Sequence, residues 1–294
     1  MLTAERRPEA LATGLRQQQN PDGGWSYRHG GSWTEPTVYA VLALHEVGET
    51  AATARGVAWL QRAQQADGGW QARPGVGESC WVTSLAALLP VELLGPERHR
   101  RSVAWISATT GVESTALYRV RQWLLGSRPS PETVSPGWPW VTGSAAWVSP
   151  TSLAVLALGM ESRLHPSPEL TTRIDAGRRF LLNRMCKGGG WNHGSVRALG
   201  YESDAYPETT GMALAALRGL HGQETEQSLQ LAQRMLRECR SADAMNWLRL
   251  GLAAHGKLPD DFTPLAGVTY RTVPEAATSI LADRAVAGRS AFWV

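Results

Sequence analysis

Four runs in this sequence carry almost no charge: VYAVLAL after Thr37, SLAALL after Thr83, SLAVLAL after Thr151 and GMALAAL after Thr210. A helix that is apolar on every side has to be buried on every side, and these runs fall well short of the roughly 18 residues that a bilayer requires. They are expected to line the inside of a protein shell. Between them lie amphipathic segments. Residues 52–65 set Val57, Trp59 and Leu60 against Arg55, Gln61 and Arg62, and residues 168–184 and 226–240 repeat the pattern of one apolar stripe with arginine elsewhere. The alternation predicts inner helices near 37–47, 82–94, 114–125, 150–161, 209–220 and 243–255, and outer helices near 8–19, 52–65, 97–108, 168–185 and 225–240. A last helix near 274–287 is placed as the sixth outer one.

The junctions repeat as well. Gln19 to Trp25 reads QNPDGGW, Gln64 to Trp70 reads QQADGGW, Gly188 to Trp191 reads GGGW, and a degenerate PGWPW runs from Pro136 to Trp140. Each is followed by the threonine that opens an apolar run, a residue suited to an N-cap or first turn, where backbone donors lack partners. Residues 126–149 interrupt the alternation. They are rich in Pro, Ser and Gly, carry Trp138, Trp140 and Trp147, and lead straight into an inner helix, so the ring there lacks an outer helix or replaces it with a packed loop.

A repeat of this kind lets all 294 residues share one core, so one domain over 1–294 is expected, with 126–149 as its irregular segment. The net charge of +3 comes from scattered arginines without a dense basic stretch, which argues against nucleic acid as a partner. Three widely spaced cysteines, Cys80, Cys186 and Cys239, do not describe a disulfide framework, and the first residues lack a signal-peptide apolar core. Together these point to the cytoplasm, with no transmembrane segment and with room for peripheral membrane contact. Thirteen tryptophans against three phenylalanines invert the usual order, and their placement at the junctions gives the reason.

Gln, small or acidic residues, Gly-Gly and an aromatic before a Thr-led apolar helix resembles the QW repeat of squalene-hopene cyclases, oxidosqualene cyclases and protein prenyltransferase β subunits. The resemblance covers roughly residues 15–220. It implies an all-α fold, an α/α-toroid of about (α/α)6 form, whose parallel inner helices gather their N-termini at one mouth of a central cavity. In that geometry Glu35, Glu113 and Glu208, each two residues before a threonine, become acids of the cavity mouth. A glutamate at a helix N-terminus also has a simpler account, since it stabilises the helix by some tenths of a kcal/mol.

Class II cyclases protonate an isoprenoid with the central acid of an Asp-x-Asp-Asp motif just before such a helix. The resemblance makes Glu208, in Tyr206-Pro207-Glu208-Thr209-Thr210, the counterpart of that acid, with Asp204 as its partner if the loop folds back; no Asp-x-Asp-Asp occurs in this sequence. A second partial resemblance, to the zinc segment of prenyltransferase β subunits, aligns Glu78 and Cys80 with the first two metal ligands after Arg73-Pro74. Thr115, Thr151 and Thr210 stand where the third, a histidine, would head a later inner helix, and His29 and His193 lie in loops after Gly-Gly-Trp turns. Two ligands do not complete a zinc site, and a Cys80 packed beside Trp81 is the competing reading, so no cofactor is expected.

Arg119 and Arg121 lie on a segment of buried type, where charge is costly unless paired. They would face a carboxylate, bind a diphosphate, or sit on an edge left open beside 126–149. Trp33, Trp81, Trp140 and Trp147, in loops before inner helices, offer apolar area and π-faces to a polyprenyl chain and its cations, or simply pack the rim. Two functional readings remain open. One is a terpene cyclase-like or prenyl-modifying protein holding an isoprenoid or other apolar chain, with acid-initiated cyclisation outside the usual motif. The other is a noncatalytic lipid- or peptide-binding module, or a protein-interaction scaffold.

Overall fold

The computed structural model describes residues 6–126, 135–194, 197–198, 201–260, 262 and 269–293. What each Gly-Gly-Trp junction does is visible in its hydrogen bonds. The buried indole N–H donates to a carbonyl in the last turn of the preceding helix: Trp25 to Leu15, Trp70 to Leu60 and Trp138 to Ile106, each at 2.8 Å, and Trp191 to Leu181 at 2.6 Å. Carbonyls in a last turn lack the usual helical donor; Leu15, Ile106 and Leu181 take a backbone N–H from Gln18, Thr109 and Arg184 at the helix end, and the indole adds a buried second donor. The backbone N–H of the same tryptophan donates to the threonine hydroxyl of the next helix: Trp25 to Thr37, Trp70 to Thr83 and Trp138 to Thr151 at 2.9 Å, and Trp191 to Thr210 at 3.0 Å. The threonines are first-turn residues and not N-caps; the donor they satisfy belongs to the turn. Gly23 and Gly68 permit the close fit, with φ of 96° and 94° and a Cβ that would stand 2.6 Å from the Arg55 and Arg101 carbonyl oxygens of the neighbouring helices.

These joints string together outer helices α1 (Arg6–Gln17), α3 (Thr50–Ala63), α6 (Pro96–Ala108), α9 (Pro168–Asn183) and α11 (Gln223–Glu238). They alternate with inner helices α2 (Thr34–Glu46), α4 (Val82–Ala86), α8 (Val148–Leu164), α10 (Pro207–Ala216), α12 (Ala242–Ala254) and α13 (Val273–Val286). Short helices α5 (Val91–Leu94) and α7 (Ala116–Leu124) complete the set, with a two-residue hairpin pairing Arg197–Ala198 and Tyr201–Glu202. The inner helices pack in a closed order, α2 on α4, α4 on α8, α8 on α10, α10 on α12, α12 on α13 and α13 back on α2. The outer helices lie against this ring: α1 on α13 and α2, α3 on α2, α6 on α4 and α8, α9 on α8, α11 on α10 and α12. The molecule is an all-helical α/α-toroid, and the apolar runs of α2, α8, α10 and α12 are buried on all sides, as their composition requires.

Two helices differ from the sequence expectation. The segment near 114–125 is not an inner helix: α7 stands outside the ring, and among the described elements its main packing is on the 3-10 turn Val112–Ser114. Its place is taken by α13, expected outside but buried from Val273 to Ala285, because its Ala, Ser and Thr residues let it fit between α12 and α2. Residues 127–134 of the irregular segment lie outside the described residues. Helix α6 serves both α4 and α8, and the described part of the segment, from Ser135, packs as a loop around buried Trp138. The indole of Trp138 reaches back 32 residues to its carbonyl, where the other three reach back 10, so 109–137 is an excursion from an ordinary junction.

Trp70→Phe keeps the ring but leaves the Leu60 carbonyl without its donor, and Thr83→Val leaves the Trp70 N–H without its acceptor. Each is expected to cost about 1–3 kcal/mol, the penalty of a buried unsatisfied polar group. Gly56→Ala should do at least as much harm, since its methyl would lie 2.5 Å from Val41 and 2.7 Å from the Trp25 ring. Chemical denaturation of the three variants beside the parent measures the losses, and an unchanged midpoint for all would refute the role given to the joint.

Candidate functional site

All six inner helices point the same way, and their starts are tied to one another. The Thr34 N–H donates to the Ala72 carbonyl (3.0 Å), Trp81 to Trp140 (3.1 Å), Val148 to His193 (3.0 Å) and Val273 to Tyr27 (2.9 Å). In each case the start of one inner helix is bonded to the loop that leads into the next. One end of the ring is therefore a rim of helix N-termini and stitched loops.

The rim is chemically divided. Four successive inner helices begin on an aromatic residue that makes no side-chain cap bond: Trp33 for α2, Trp81 for α4, Trp147 for α8 and Tyr206 for α10. Helices α12 and α13 instead carry true caps, Ser241 and Thr272, the latter in a capping box with Glu275. Acids fall in the first turn of α2 (Glu35), α10 (Glu208), α12 (Asp243) and α13 (Glu275), which are neighbours in the ring. Helices α4 and α8 have none there. One arc of the mouth is thus acidic and the other aromatic.

The acids feel one another. Burial raises the Asp243 carboxyl to about 6, helped by the charges of Glu208 and Glu275. Burial likewise raises Glu35 to about 7; the Tyr27 hydroxyl, which donates a hydrogen bond to Glu35 Oε2, pulls it back down, and the charge of Asp243 adds to the rise. Both side chains keep part of their surface open to solvent even though burial is the largest influence on them. One turn below each acid, on the same helix face, stands an aromatic: Tyr39 beneath Glu35 and Trp247 beneath Asp243. The two rings meet edge to face at 6.4 Å although α13 separates their helices in the ring, and Phe292, from the tail after α13, packs on Trp247 at 5.6 Å. Tyr39, Trp247 and Phe292 are all buried, forming a floor roughly 6 Å below the acids at 1.5 Å rise per residue. The Tyr39 phenol is raised well above its ordinary range by burial, with Glu35, Asp243 and Tyr27 contributing.

Of the residues singled out in the sequence, Glu35 and Glu208 lie in this acidic arc. Glu113 does not: it is buried in the turn before α7, where its carboxylate accepts the Ala146 N–H (3.0 Å) and anchors the 135–147 loop. Asp204 is exposed, and its charge adds to the burial that raises the Cys186 thiol. Trp33 stacks edge-on with Tyr27 at 5.7 Å and carries the Arg73 guanidinium at 5.7 Å. Trp81 and Trp140 form a T-shaped pair at 4.9 Å, and Trp147 is partly exposed against Gly194. Arg121 is exposed on α7, outside the ring; Arg119 belongs to the same helix, and its side chain lies outside the described residues. Glu78 is exposed whereas Cys80 is buried with its thiol raised by desolvation, and among the described residues no group of three or more His, Cys, Asp or Glu converges as metal ligands would. Asp243 and Glu275 escaped the sequence reading because α12 and α13 lack the Gly-Gly-Trp and Thr landmarks, and Tyr27 because it stands in a loop, eight residues from the glutamate it bonds. An acid followed by an aromatic four residues on, shared by 35/39 and 243/247, was the available signal.

Residues 4–128 match the family of the squalene-hopene cyclase C-terminal domain. Over 63 residues the chain is 46% identical to the drimenyl diphosphate synthase of Streptantibioticus cattleyicolor, an alignment covering 20% of this chain and only 12% of that longer protein. A variant type II terpene cyclase from Scytonema, in complex with its substrate geranylgeranyl dihydroxybenzoate, superposes with a TM-score of 0.55 at 17% identity, over 99% of this chain and 80% of that one. An α-amylase from Clostridium perfringens superposes with a TM-score of 0.61 at 8% identity, over 96% and 99%. At these identities the structures share the toroid fold. The chain is an α/α-toroid, and its residues 4–128 are similar to the squalene-hopene cyclase C-terminal domain.

The raised carboxyls carry a pH dependence. A folded-state value above the unfolded one contributes stability that is intact below the unfolded value and lost as pH rises through the folded one. For Glu35 that window runs from 4.5 to about 7, and for Asp243 from 3.8 to about 6. Melting temperature should therefore fall between pH 5 and 7.5, and Glu35→Gln should flatten that fall. Melts of variant and parent with the same slope would contradict the assignment.

Proposed function

We propose that the chain is a terpene cyclase-like enzyme that receives an isoprenoid at the divided mouth and starts its cyclisation with a proton from the acidic arc. The observation that carries this reading is the arc itself: four adjacent inner helices bring interacting carboxyls to one side of a rim whose other side is aromatic. Fold alone favours no chemistry, since an α-amylase has it too. The match of residues 4–128 to the squalene-hopene cyclase C-terminal domain favours isoprenoids.

A carboxyl raised to about 7 is protonated in about half of the molecules at neutral pH, the match to working pH that a general acid requires. In the proposed step the Glu35 O–H bond breaks, its electrons stay on the carboxylate, and the proton adds to the terminal alkene or epoxide of the substrate, leaving a cation that the chain's next double bond attacks. The Tyr27 hydroxyl then stabilises the new carboxylate by the hydrogen bond it already donates. Asp243 is the second proton-holding group, and Glu208, proposed from the sequence as the acid, acts by raising Asp243. Asp204 takes no part. Trp33, Trp81, Trp140 and Trp147 offer π-faces to the cation and apolar surface to the chain, with Tyr39 and Trp247 as the floor.

The test is product analysis after incubation with squalene, oxidosqualene, and C15 and C20 prenyl diphosphates. A cyclised product is expected from at least one, reduced about 100-fold or more in Glu35→Gln, as for loss of a general acid, and little changed in Asp204→Asn. The rate should decline above pH 7 as Glu35 loses its proton. Unchanged substrates throughout, with an apolar ligand that co-purifies in native mass spectrometry, would replace the enzyme with a noncatalytic binding module.

A further inference from the structure

Helix α12 is the inner helix whose place in the ring the junctions leave unset. It has no Gly-Gly-Trp joint, and among the described residues no backbone hydrogen bond ties its first residues to a neighbouring loop as Thr34, Trp81, Val148 and Val273 are tied. Yet it carries both Asp243 of the acidic arc and Trp247 of the floor. Two seams hold it instead. Toward α10 the packing is backbone on backbone: a Cβ on Gly211 would stand 2.2 Å from the Trp247 carbonyl carbon, and one on Gly251 would stand 2.5 Å from the Gly211 carbonyl oxygen. The polar contact on that side is at the far end of α12, where the His255 ring meets the Leu214 carbonyl at 2.9 Å. The end that bears the acid is left to the other seam.

Toward α13 the seam is polar although it is buried. Asn246 Nδ2 donates to the Glu275 carbonyl and to Thr278 Oγ1, each at 2.9 Å, and the Arg249 guanidinium pairs with Asp283. Asn246, Arg249 and Thr278 are at most 4% exposed. Apolar residues of the same volume would serve stability as well as a buried ion pair does; what directional polar contacts add is a single register. The register here is specific. Asn246 stands three residues after Asp243, and its acceptor is the carbonyl of Glu275, whose own carboxylate is fixed by the Arg271 N–H (2.5 Å) and the Thr272 N–H (3.3 Å).

We infer that Asn246 and the Arg249–Asp283 pair are positioning residues, which hold the start of α12 in the one register that keeps Asp243 beside the acids of α10 and α13. The inference rests on the proposed function for Asp243's part as a proton-holding group. The groups that act on Asp243 or feel its charge are Glu208 from α10, Glu275 from α13, Glu35 and Tyr39 from α2, and Cys239 from the turn after α11. None of these is a cation, so both the burial of Asp243 and the repulsion on it depend on how closely α12 is held. Without the polar seam the start of α12 tilts from α13, water reaches the carboxyl, and its proton leaves at a lower pH.

Thermal melts across the acid-to-neutral range, made on each variant with and without Asp243→Asn, test the inference. Asp243 is raised above its unfolded value, so its contribution to stability is lost as pH rises, and the difference in slope between parent and Asp243→Asn isolates that loss. Asn246→Leu, whose acceptors both keep other partners, should lose at least half of this difference. So should the double variant Arg249→Met, Asp283→Leu, which removes the pair without stranding either charge. Arg249→Lys keeps a donor for Asp283 and should retain most of the difference. A seam that serves stability alone would lower the melting temperature equally at every pH and leave the difference whole, and that result would overturn the inference. An Asp243→Asn protein with the parent's slope would remove it together with Asp243's part in the proposed reaction. The melts do not depend on turnover, so an absence of cyclised product ends the enzyme reading and leaves the role of the seam standing.

Discussion

The bond from a tryptophan indole to the frayed end of the preceding helix is the constraint on which this structure rests. A helix terminus leaves carbonyls that must be satisfied or wetted, and each junction satisfies one with a side chain that is also the largest apolar group available. Because the same residue's backbone N–H is held by a threonine of the next helix, the end of an outer helix and the start of an inner one are locked at a fixed separation. Neighbouring outer helices complete the joint. Gln19 and Gln64 donate to Ala52 and Arg98 carbonyls, and Arg62 and Arg101 return donors to the turns. Arg62 and Arg101, like Arg173 and Arg284, thus place their guanidinium groups on backbone carbonyls.

Locking four junctions the same way brings the N-termini of α2, α4, α8 and α10 to one end, α12 and α13 pack between α10 and α2, and this decides the electrostatics of the mouth. Helix dipoles favour ionised carboxylates there, by about 0.3–1 kcal/mol each. Burial and mutual repulsion oppose them. One unit of pKa corresponds to about 1.4 kcal/mol, so even half of the rise of Glu35 from 4.5 to about 7 outweighs the dipole. Protons are therefore held near neutrality at the very place where the backbone would release them. The Tyr27 hydroxyl moderates the effect, and the Val273 bond to the Tyr27 carbonyl keeps that tyrosine between α13 and α2.

The junction also tolerates insertion. Trp138 finds the Ile106 carbonyl across 32 residues as well as its counterparts do across 10, so the junction closes whatever the length of chain between. Helix α7 uses that freedom. Its apolar residues are as numerous as those of an inner helix, but nothing in the core needs them, and they face outward beside the aromatic arc.

The Gly-Gly-Trp turns, the threonines and the uncharged runs determined the toroid from the sequence alone, because each is a local solution to a local demand: a helix end, a tight turn, a helix with no wet face. Glu35 and Glu208 were legible for the same reason, standing at a fixed offset from those threonines. Which run enters the ring was not local. Helix α7 reads as inner by its apolar residues and α13 as outer by its place in the count, yet the closure of α12 on α13 and α13 on α2 fills the sixth position with the helix whose small residues fit. Only the tertiary structure could set Glu113 against the Ala146 backbone and bring Asp243 and Glu275 beside Glu208 and Glu35. Desolvation and repulsion depend on groups far apart in the chain, and the ring alone brings them within reach of one another.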